Sequence, residues 1–441
     1  MKGENVCEGN WHSPFFESGR GYKSEQRASF FDSRKEHPEK AAEKRRDPFF
    51  DNMKGILIFL VVLGHGVSSF DVIGGAGYDW LYQAIFSFHM PAFLFVSGYF
   101  ASPKPKKTIA RLLPLYLIFQ LIQCLMLFWE SWLDNPRTAE LDLQFSEPGW
   151  TLWYLMVLMI FSLVLPLLDT ESRRKQLRNL IIALALGVLV GYNLQSVLDF
   201  AAIGRTATFL VFFLAGYYLK KNRELFADLT GPDRFCAFGS GHGLRRTFAA
   251  GDPARFRSFG SGHGSRRTFA AADPVRMKER CIRIARIAAA AGAAVYLLLL
   301  ALPQCPIWGK MFYGDQSYLS TGMTAGWKLA AYGISFLWIA VLLLWVPRRK
   351  IPLLRKLGRN TLGVYLFHTI LLRMLRMWEP ADAVLNVHFG LVVLLCVGLT
   401  LLFSMDCFSD LLKKIQNLHQ LQLRKKAAGA SDQRITMSGK Y

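Results

Sequence analysis

The stretch DNMKGILIFLVVLGHGVSSF (Asp51–Phe70) decides how this chain is interpreted. It is an apolar run with one histidine, His65, near its middle, and it opens with an acidic and a basic residue, Asp51 and Lys54. A run of roughly 20 apolar residues is long enough to cross the hydrocarbon core of a bilayer as a helix. An ionisable ring inside such a helix is costly, so His65 is a candidate functional group.

The rest of the chain continues this pattern. Of its 441 residues, 52% are hydrophobic, and the mean hydropathy is +0.22. The apolar residues come in blocks of about 17–22, the length of a membrane-spanning helix. This composition favours an all-α, polytopic integral membrane protein over a multidomain soluble protein. The sequence predicts about ten transmembrane helices, near residues 55–70, 81–101, 112–133, 151–168, 179–198, 207–220, 284–302, 327–346, 361–378 and 384–405.

The basic residues alternate with the apolar blocks. The formal net charge is +21, from 53 Lys and Arg against 32 Asp and Glu, and the excess lies in every second connecting segment and in the tails. Cytoplasmic loops carry such an excess, so the charge indicates membrane topology and the lipid bilayer as a partner, with no nucleic acid expected. The alternation places both termini in the cytoplasm.

The division of the chain follows from these blocks. A tandem repeat, DRFCAFGSGHGLRRTFAAGDP (233–253) followed by ARFRSFGSGHGSRRTFAAADP (254–274), is too rich in Gly and Arg to bury a core and indicates a flexible insertion. The predicted regions are a disordered cytoplasmic tail (1–46), transmembrane helices 1–6 (47–220), a basic cytoplasmic insertion (221–280), transmembrane helices 7–10 (281–405) and a basic cytoplasmic tail (406–441).

The seven cysteines are scattered, without a C-x-x-C pair or the spacing of metal ligands. We therefore expect neither a disulfide framework nor a metal site. The motif GSGHG in the repeat follows no predicted strand, so it is not interpreted as a phosphate-binding loop.

Three histidines lie within predicted membrane helices: His65, His89 and His368. At about 1.5 Å per residue, His65 lies roughly 16 Å and His89 roughly 18 Å from the cytoplasmic ends of their helices, so both approach the midplane. His368 is shallower. Each ring could simply donate a hydrogen bond between helices. For His65 the flanking Gly64 and Gly66 favour a functional role, because they leave room for a ligand or a neighbouring backbone.

Cationic residues gather where the first helix begins and the third approaches the membrane: Lys54, Lys104, Lys106, Lys107 and Arg111. Membrane topology alone accounts for such residues. The same cluster would also suit a phosphate-rich ligand arriving from the cytoplasm.

Aromatic residues stand at the outer end of the fourth predicted helix, in GWTLWYLM, which contains Trp150, Trp153 and Tyr154. Aromatic belts are common at membrane interfaces. A platform on which a sugar ring stacks is the alternative interpretation, and the sequence leaves both open.

Five motifs in order give the chain a resemblance to a known family. They are D-x-x-K-G-x-x-I-x-x-x-x-x-x-G-H in the first helix, FHMPAFLFVSGYF, IARLLPLY, LWYL and LGRNTLGVYLFHT. Over about residues 50–405, excluding the repeat, the chain resembles the membrane-bound acyltransferase-3 family and particularly its fucose 4-O-acetylase-like members. The resemblance implies a ten-helix enzyme that uses acyl-CoA, commonly acetyl-CoA, as donor substrate and modifies the hydroxyls of surface carbohydrates, with no bound cofactor.

The resemblance also assigns residues. The histidine of the family's first helix falls on His65. Many members have an arginine eleven residues earlier, where this chain has Lys54, which keeps the charge but loses the bidentate fork. The family's basic pair before the third helix matches Lys107 and Arg111 in part, and the late YLFH motif places His368 in the pattern.

The chemistry expected of these residues is base-assisted acyl transfer. A sugar hydroxyl must lose its proton as it attacks a thioester, and a buried, neutral imidazole such as His65 suits that role. Lys107 and Arg111 are expected to bind the CoA phosphates, with Asp51 pairing with Lys54 or simply marking the helix start. His89, Trp153, Tyr154 and His368 complete the set of candidate substrate-binding residues.

Two other interpretations remain open from the sequence. A proton-coupled exporter of a lipid-linked sugar or small polar solute also has membrane-embedded histidines. However, the two halves of the chain show no internal repeat or paired broken helices of the transporter type. A catalytically dead homologue is the third possibility, for which the lysine at position 54 is the supporting feature.

Overall fold

The computed structural model describes residues 47–70, 76–222, 224, 274–300 and 312–417. The predicted tail over 1–46 and the tandem repeat up to residue 273 lie outside the described residues. Within the described ranges the regular secondary structure is helical, with no strand. The predicted all-α class is therefore confirmed.

The helices are numbered in chain order. They are α1 (Pro48–Ser69), α2 (Ala76–Phe86), α3 (His89–Phe100), α4 (Pro105–Asp134), α5 (Trp153–Leu168), α6 (Arg173–Leu189), α7 (Gln195–Asp199), α8 (Ile203–Lys221), α9 (Pro274–Leu300), α10 (Tyr318–Thr321), α11 (Ala325–Trp345), α12 (Pro352–Arg359), α13 (Thr361–Met377), α14 (Glu379–Val387), α15 (Phe389–Phe403) and α16 (406–417).

Every predicted membrane segment coincides with one or two of these helices. Six segments of the described chain are long and apolar enough to cross a bilayer, and the bent pair α14 and α15 would make a seventh. The apolar helix α5 is shorter, at 16 residues. The chain is thus a polytopic membrane protein, while the number of ten spans and the cytoplasmic position of the termini stay predictions.

Three predicted helices are not continuous. The segment 81–101 is divided into α2 and α3 by a break at Ser87 and Phe88, and the segment 384–405 is bent by 115° between α14 and α15. The segment 179–198 is divided between α6, which ends at Leu189, and α7, which begins at Gln195. At the first break the Ser335 hydroxyl of α11 donates a 2.7 Å hydrogen bond to the Ser87 carbonyl. A neighbouring helix thereby satisfies a backbone group that the interruption would leave unpaired in a membrane.

Helix α1 lies at the centre of the bundle and packs against α12, α13 and α15. Its side chains are largely buried, including Phe49, Met53, Leu57 and Val62. Helix α1 carries both Lys54 and His65. Its central position therefore places these two residues next to the late helices of the chain.

Helices α3 and α8 pack with equally close contact. A Cβ at Gly98 would overlap the carbonyl of Phe213, and a Cβ at Gly216 would overlap that of Phe95. Small residues allow membrane helices to approach to backbone distance. This contact fixes α3, which carries His89, against α8, which carries Arg205.

Candidate active site

A cavity of about 280 Å³, which we call the histidine cavity, lies where α1, α2, α3, α8 and α13 meet the loop before α5. It contains histidine, aromatic and arginine side chains in one place. Its described lining is Val61, His65, Ser68, Tyr82, Phe86, His89, Met90, Trp150, Thr151, Trp153, Arg205, Phe209, Phe312, Tyr313 and Tyr365.

His65 and His368 form a direct pair beside this cavity. Nδ1 of His65 lies 3.0 Å from Nε2 of His368, and the ring centroids are 5.2 Å apart. His368 is fully buried, and its Nδ1 lies 2.8 Å from the carbonyl oxygen of Val364 one turn earlier in α13. The structure therefore joins the first-helix histidine to the late YLFH motif.

The glycines that flank His65 face protein side chains. A Cβ at Gly64 would lie 3.0 Å from Cε2 of Phe86, and one at Gly66 would overlap Sγ of Cys396 in α15. The sequence suggests room for a ligand or a neighbouring backbone; in the structure the glycines make room for side chains of α2 and α15 beside the imidazole.

His89 lines the same cavity from the start of α3. Its Nδ1 lies 2.8 Å from the carbonyl oxygen of Ile85, across the break between α2 and α3. The Phe86 ring contacts both histidines, with centroid distances of 6.1 Å to His65 and 4.7 Å to His89. A carbonyl can only accept, so Nδ1 of His89 donates and its Nε2 can accept a hydrogen bond from a ligand.

Trp150 covers His65 on the side of the loop before α5. The two rings meet edge to face at 5.6 Å, and the Trp150 backbone has φ +29°, in the left-handed region that a non-glycine residue rarely adopts. Such a conformation persists where the surroundings hold it in place. The Tyr365 hydroxyl donates to the carbonyl of the next residue, Thr151.

Gln120 holds the same loop from inside α4. Its Nε2 donates to the carbonyls of Gln144 and Glu147 at 2.6 and 3.0 Å, and its Oε1 accepts from the backbone N–H of Gly149 at 2.9 Å. One buried amide therefore fixes three backbone groups just before Trp150. Sequence reasoning did not identify Gln120 or the position of Trp150 over His65.

The two aromatic residues singled out from the sequence separate in the structure. Trp153 lines the histidine cavity, with the Arg205 guanidinium 4.9 Å and the Phe209 ring 5.4 Å from its ring centroid. Tyr154 points into a different cavity and shares a 2.7 Å hydrogen bond with Ser97. They do not form one continuous platform.

Arg205, at the start of α8, is the permanent positive charge of the described cavity lining. Its guanidinium forms an ion pair with Asp315 in the loop before α10. The same loop contributes Tyr313, outside the helices, and burial raises the pKa of its phenol to about 12. Tyr313 therefore remains a protonated hydroxyl at neutral pH. Both residues lie in segments that the sequence predicts to be connectors between membrane helices.

A second, larger cleft of about 460 Å³ contains the predicted basic cluster. Lys104, Lys107 and Arg111 line it together with Ser97, Ser102 and Thr108, and we call it the basic cleft. Arg111 also donates from Nε to Oε1 of Gln416 in α16, at 3.3 Å. The residues predicted to bind phosphates thus surround one space on the predicted cytoplasmic side.

A third cavity of about 160 Å³, which we call the apolar passage, lies between the other two. Leu158 and Leu362 line both the basic cleft and the apolar passage. Val61, Met90 and Tyr365 line both the apolar passage and the histidine cavity. The shared walls place the three spaces in a row, from the basic cleft to His65.

Lys54 and Asp51 pair at the beginning of α1, with Nζ of the lysine 2.9 Å from Oδ1 of the aspartate. Lys54 also lies over the ring of Phe100, 5.5 Å from its centroid. Phe100 is part of the basic cleft, whereas neither Lys54 nor Asp51 is among its described lining. The pair is therefore adjacent to the cleft.

The described residues contain no group of three or more His, Cys, Asp or Glu that could hold a metal ion. Cys124, Cys281, Cys396 and Cys407, the cysteines in this part of the chain, are unpaired.

Two curated proteins with similar sequences are both named nodulation protein NolL. The chain is 38% identical over 103 residues to the protein of Sinorhizobium fredii, which covers 22% of this chain and 27% of the relative. It is 30% identical over 146 residues to the protein of Mesorhizobium japonicum, covering 30% of this chain and 39% of the relative. The matched segments thus span between a quarter and two fifths of these relatives. No solved structure matches the chain.

The comparison with protein families covers most of the chain. Residues 47–248 and 268–407 match the sequence model of an acyltransferase domain, and the gap between the two ranges falls within the tandem repeat. The match begins just before α1 and ends in α16, so it includes all three cavities and the paired histidines. The chain belongs to the acyltransferase-3 family.

Proposed function

We propose that this protein is a membrane-embedded O-acyltransferase of the cell membrane that moves an acetyl or other short acyl group from acyl-CoA to a hydroxyl of a sugar or surface glycan. The observation that carries the proposal is the row of cavities from the basic cleft to His65. An acyl-CoA has the matching shape, because its phosphates and its thioester stand at opposite ends of a narrow pantetheine arm.

The basic cleft suits the phosphate end of the donor. Lys107 and Arg111 supply positive charge, and Arg111 can present two parallel N–H groups to one phosphate. The serine and threonine hydroxyls of the cleft add neutral donors. Lys54, held by Asp51 and Phe100, contributes charge beside the cleft without lining it.

The apolar passage suits the pantetheine arm. Its lining is largely aliphatic and aromatic, with Leu158 and Leu362 at one end and Val61 and Met90 at the other. An arm that follows this route brings the thioester next to His65. Tyr154 offers a hydroxyl to the amides of the arm along the way.

The transfer step follows from the groups around the thioester. His65 removes the proton of the acceptor hydroxyl as its oxygen attacks the thioester carbonyl carbon. The C–S bond then breaks, and the CoA thiolate leaves and takes up the proton held by His65. The positive charge of Arg205 stabilises the oxyanion of the tetrahedral intermediate.

The acceptor is proposed to be a carbohydrate because of the remaining cavity wall. Trp150, Tyr82 and Tyr313 offer aromatic surface, while His89 offers an acceptor nitrogen and Tyr313 a hydroxyl. Aromatic surface beside a few polar groups suits a ring that is apolar on its faces and polar at its edge.

The test uses the purified protein, acetyl-CoA labelled in its acetyl group, and octyl β-D-glucoside as an acceptor probe, without an ion gradient. We expect formation of a labelled ester or, with water as acceptor, release of labelled acetate. His65→Ala should reduce both by about 10²–10⁴-fold. The control is His388→Ala, because His388 is exposed and lies outside the cavity.

Unchanged turnover in a well-expressed His65→Ala protein would remove His65 as the base. If the wild-type protein left acetyl-CoA intact but moved a lipid-linked sugar in response to a proton gradient, the exporter would replace the enzyme. The acceptor class is tested separately, by comparing acetylation of the surface glycans in cells with and without the protein.

A further inference from the structure

The structure assigns to His368 the role of a positioning residue: it holds His65 in the tautomer with a proton on Nδ1, so that Nε2 of His65 is the reactive base. This inference deepens the proposed function and rests on it for its catalytic meaning. The inference rests on the two hydrogen bonds that His368 makes, with His65 and with the Val364 carbonyl.

The direction of these hydrogen bonds follows from the last acceptor. The carbonyl oxygen of Val364 cannot donate, so Nδ1 of His368, 2.8 Å away, must carry a proton. A neutral imidazole has one N–H, and Nε2 of His368 is therefore an acceptor. The partner at 3.0 Å, Nδ1 of His65, must then be the donor.

His65 is left with its lone pair on Nε2. Among the described residues no protein group forms a hydrogen bond with that nitrogen, and His65 lines the cavity to which the apolar passage leads. The opposite tautomer would put a proton on Nε2 and could not accept one from a hydroxyl. A chain of two hydrogen bonds thus selects which nitrogen faces the reactants.

The charge state of the pair supports the same arrangement. His368 is fully buried, the described part of the cavity lining contains no carboxylate, and the guanidinium of Arg205 is paired with Asp315. A second positive charge between the two rings would be disfavoured in such surroundings. With both rings neutral, each of the two hydrogen bonds has a donor and an acceptor only when Nδ1 of His65 donates to His368 and Nδ1 of His368 donates to Val364.

A pair of substitutions separates positioning from packing. In His368→Gln the amide oxygen can reach the position of Nε2 and accept from Nδ1 of His65. In His368→Asn the side chain is one methylene shorter, so it can approach Val364 but falls short of His65. Both variants are polar and buried at the same place, and only the glutamine can accept the hydrogen bond from Nδ1 of His65.

We expect His368→Asn to lower kcat for acetyl-CoA turnover by about 10–100-fold with little change in the KM for acetyl-CoA, because the fraction of competent His65 tautomer falls. His368→Gln should retain most of the wild-type kcat. Thermal stability of both purified variants is measured in parallel. Equal losses in two folded variants would overturn the assignment.

A direct measurement on the wild-type protein does not depend on activity. Nitrogen NMR of ¹⁵N-histidine-labelled protein distinguishes protonated from unprotonated ring nitrogens, and His65→Ala identifies the His65 signals. Protonated Nδ1 and unprotonated Nε2 at His65 are expected. Protonated Nε2 would overturn the inference even if the protein proved to be an acyltransferase, so this result and a failure of the proposed function can be told apart.

Discussion

The backbone of Asp51 lies directly against Gly358, so closely that a Cβ at position 358 would overlap the Asp51 carbonyl oxygen. One turn along α1, Gly55 lies in the same way against the carbonyl of Leu354. These two glycines belong to the motifs at the beginning and near the end of the matched region. Each of the two helices, α1 and α12, provides a glycine that allows the backbone of the other to approach.

Gly358→Ala should destabilise the protein by about 1–3 kcal/mol, because a methyl group has no room between α1 and α12. The melting temperature of the detergent-solubilised protein measures the effect. Gly333→Ala in α11 is the matched control, since a Cβ there meets nothing within 4 Å. If both variants melted at the same temperature, the α1–α12 contact would not be as tight as described.

Leu158→Trp should block the route from the basic cleft to the apolar passage, because Leu158 lines both spaces. We expect acetyl-CoA turnover to fall at least about tenfold, since a thioester kept away from His65 cannot react. Leu163→Trp on the same helix is the control, as Leu163 is 54% exposed on the outer surface of the bundle. Full activity in both variants would mean that the donor reaches His65 by another path.

Lys107→Ala and Arg111→Ala should each raise the KM for acetyl-CoA by about tenfold and leave kcat nearly unchanged. Each removes a charged hydrogen bond to phosphate, of about 1.5–3 kcal/mol, that is equally present before and during the reaction. Lys106→Ala provides the comparison, because Lys106 is exposed and is not part of the cleft. A lower kcat with an unaltered KM would argue for a role in the chemical step instead.

Arg205→Met should lower kcat by about 10²–10³-fold if the guanidinium stabilises the oxyanion. Methionine keeps much of the side-chain volume against Trp153 while removing the charge. Arg137→Met, an exposed arginine in the loop after α4, serves as the control. An effect confined to the melting temperature would show that the ion pair with Asp315 holds the bundle together without entering the reaction.

The sequence predicts the helical segments well because their signal is local. Each apolar block is long, and hydropathy does not depend on what the helix packs against. The histidines are likewise conspicuous in apolar surroundings, and the structure brings His65, His89 and His368 to one region. Their helical depth alone, however, does not show that His368 contacts His65.

The missed residues depend on contacts between distant parts of the chain. Arg205 and Asp315 are 110 residues apart, and each stands between two predicted membrane helices, in a segment that looks like an external connector. Nothing local indicates that the two segments meet over a cavity. The same reason conceals Gln120, whose amide is in the middle of an apolar helix and bonds to a loop more than 20 residues later.

The break between α2 and α3 had a signal that could have been used. Pro91 is the third residue of α3, and proline is tolerated in the first turn of a helix but not in its interior. Within FSFHMPAF the proline therefore marks a helix beginning close to His89, where hydropathy alone predicts one uninterrupted span.

Helix α11 contacts this break directly before His89. The Ser87 carbonyl accepts a hydrogen bond from Ser335 of α11. The ring of Phe88 stacks on Trp338, which lies one turn after Ser335 in α11, with ring centroids 4.7 Å apart. A continuous helix is held in place by its own backbone hydrogen bonds, whereas the ends of an interrupted helix depend on the neighbouring helices that contact them. The position of the His89 imidazole in the cavity wall is therefore tied to α11 through these two contacts, in addition to the backbone contact of α3 with α8.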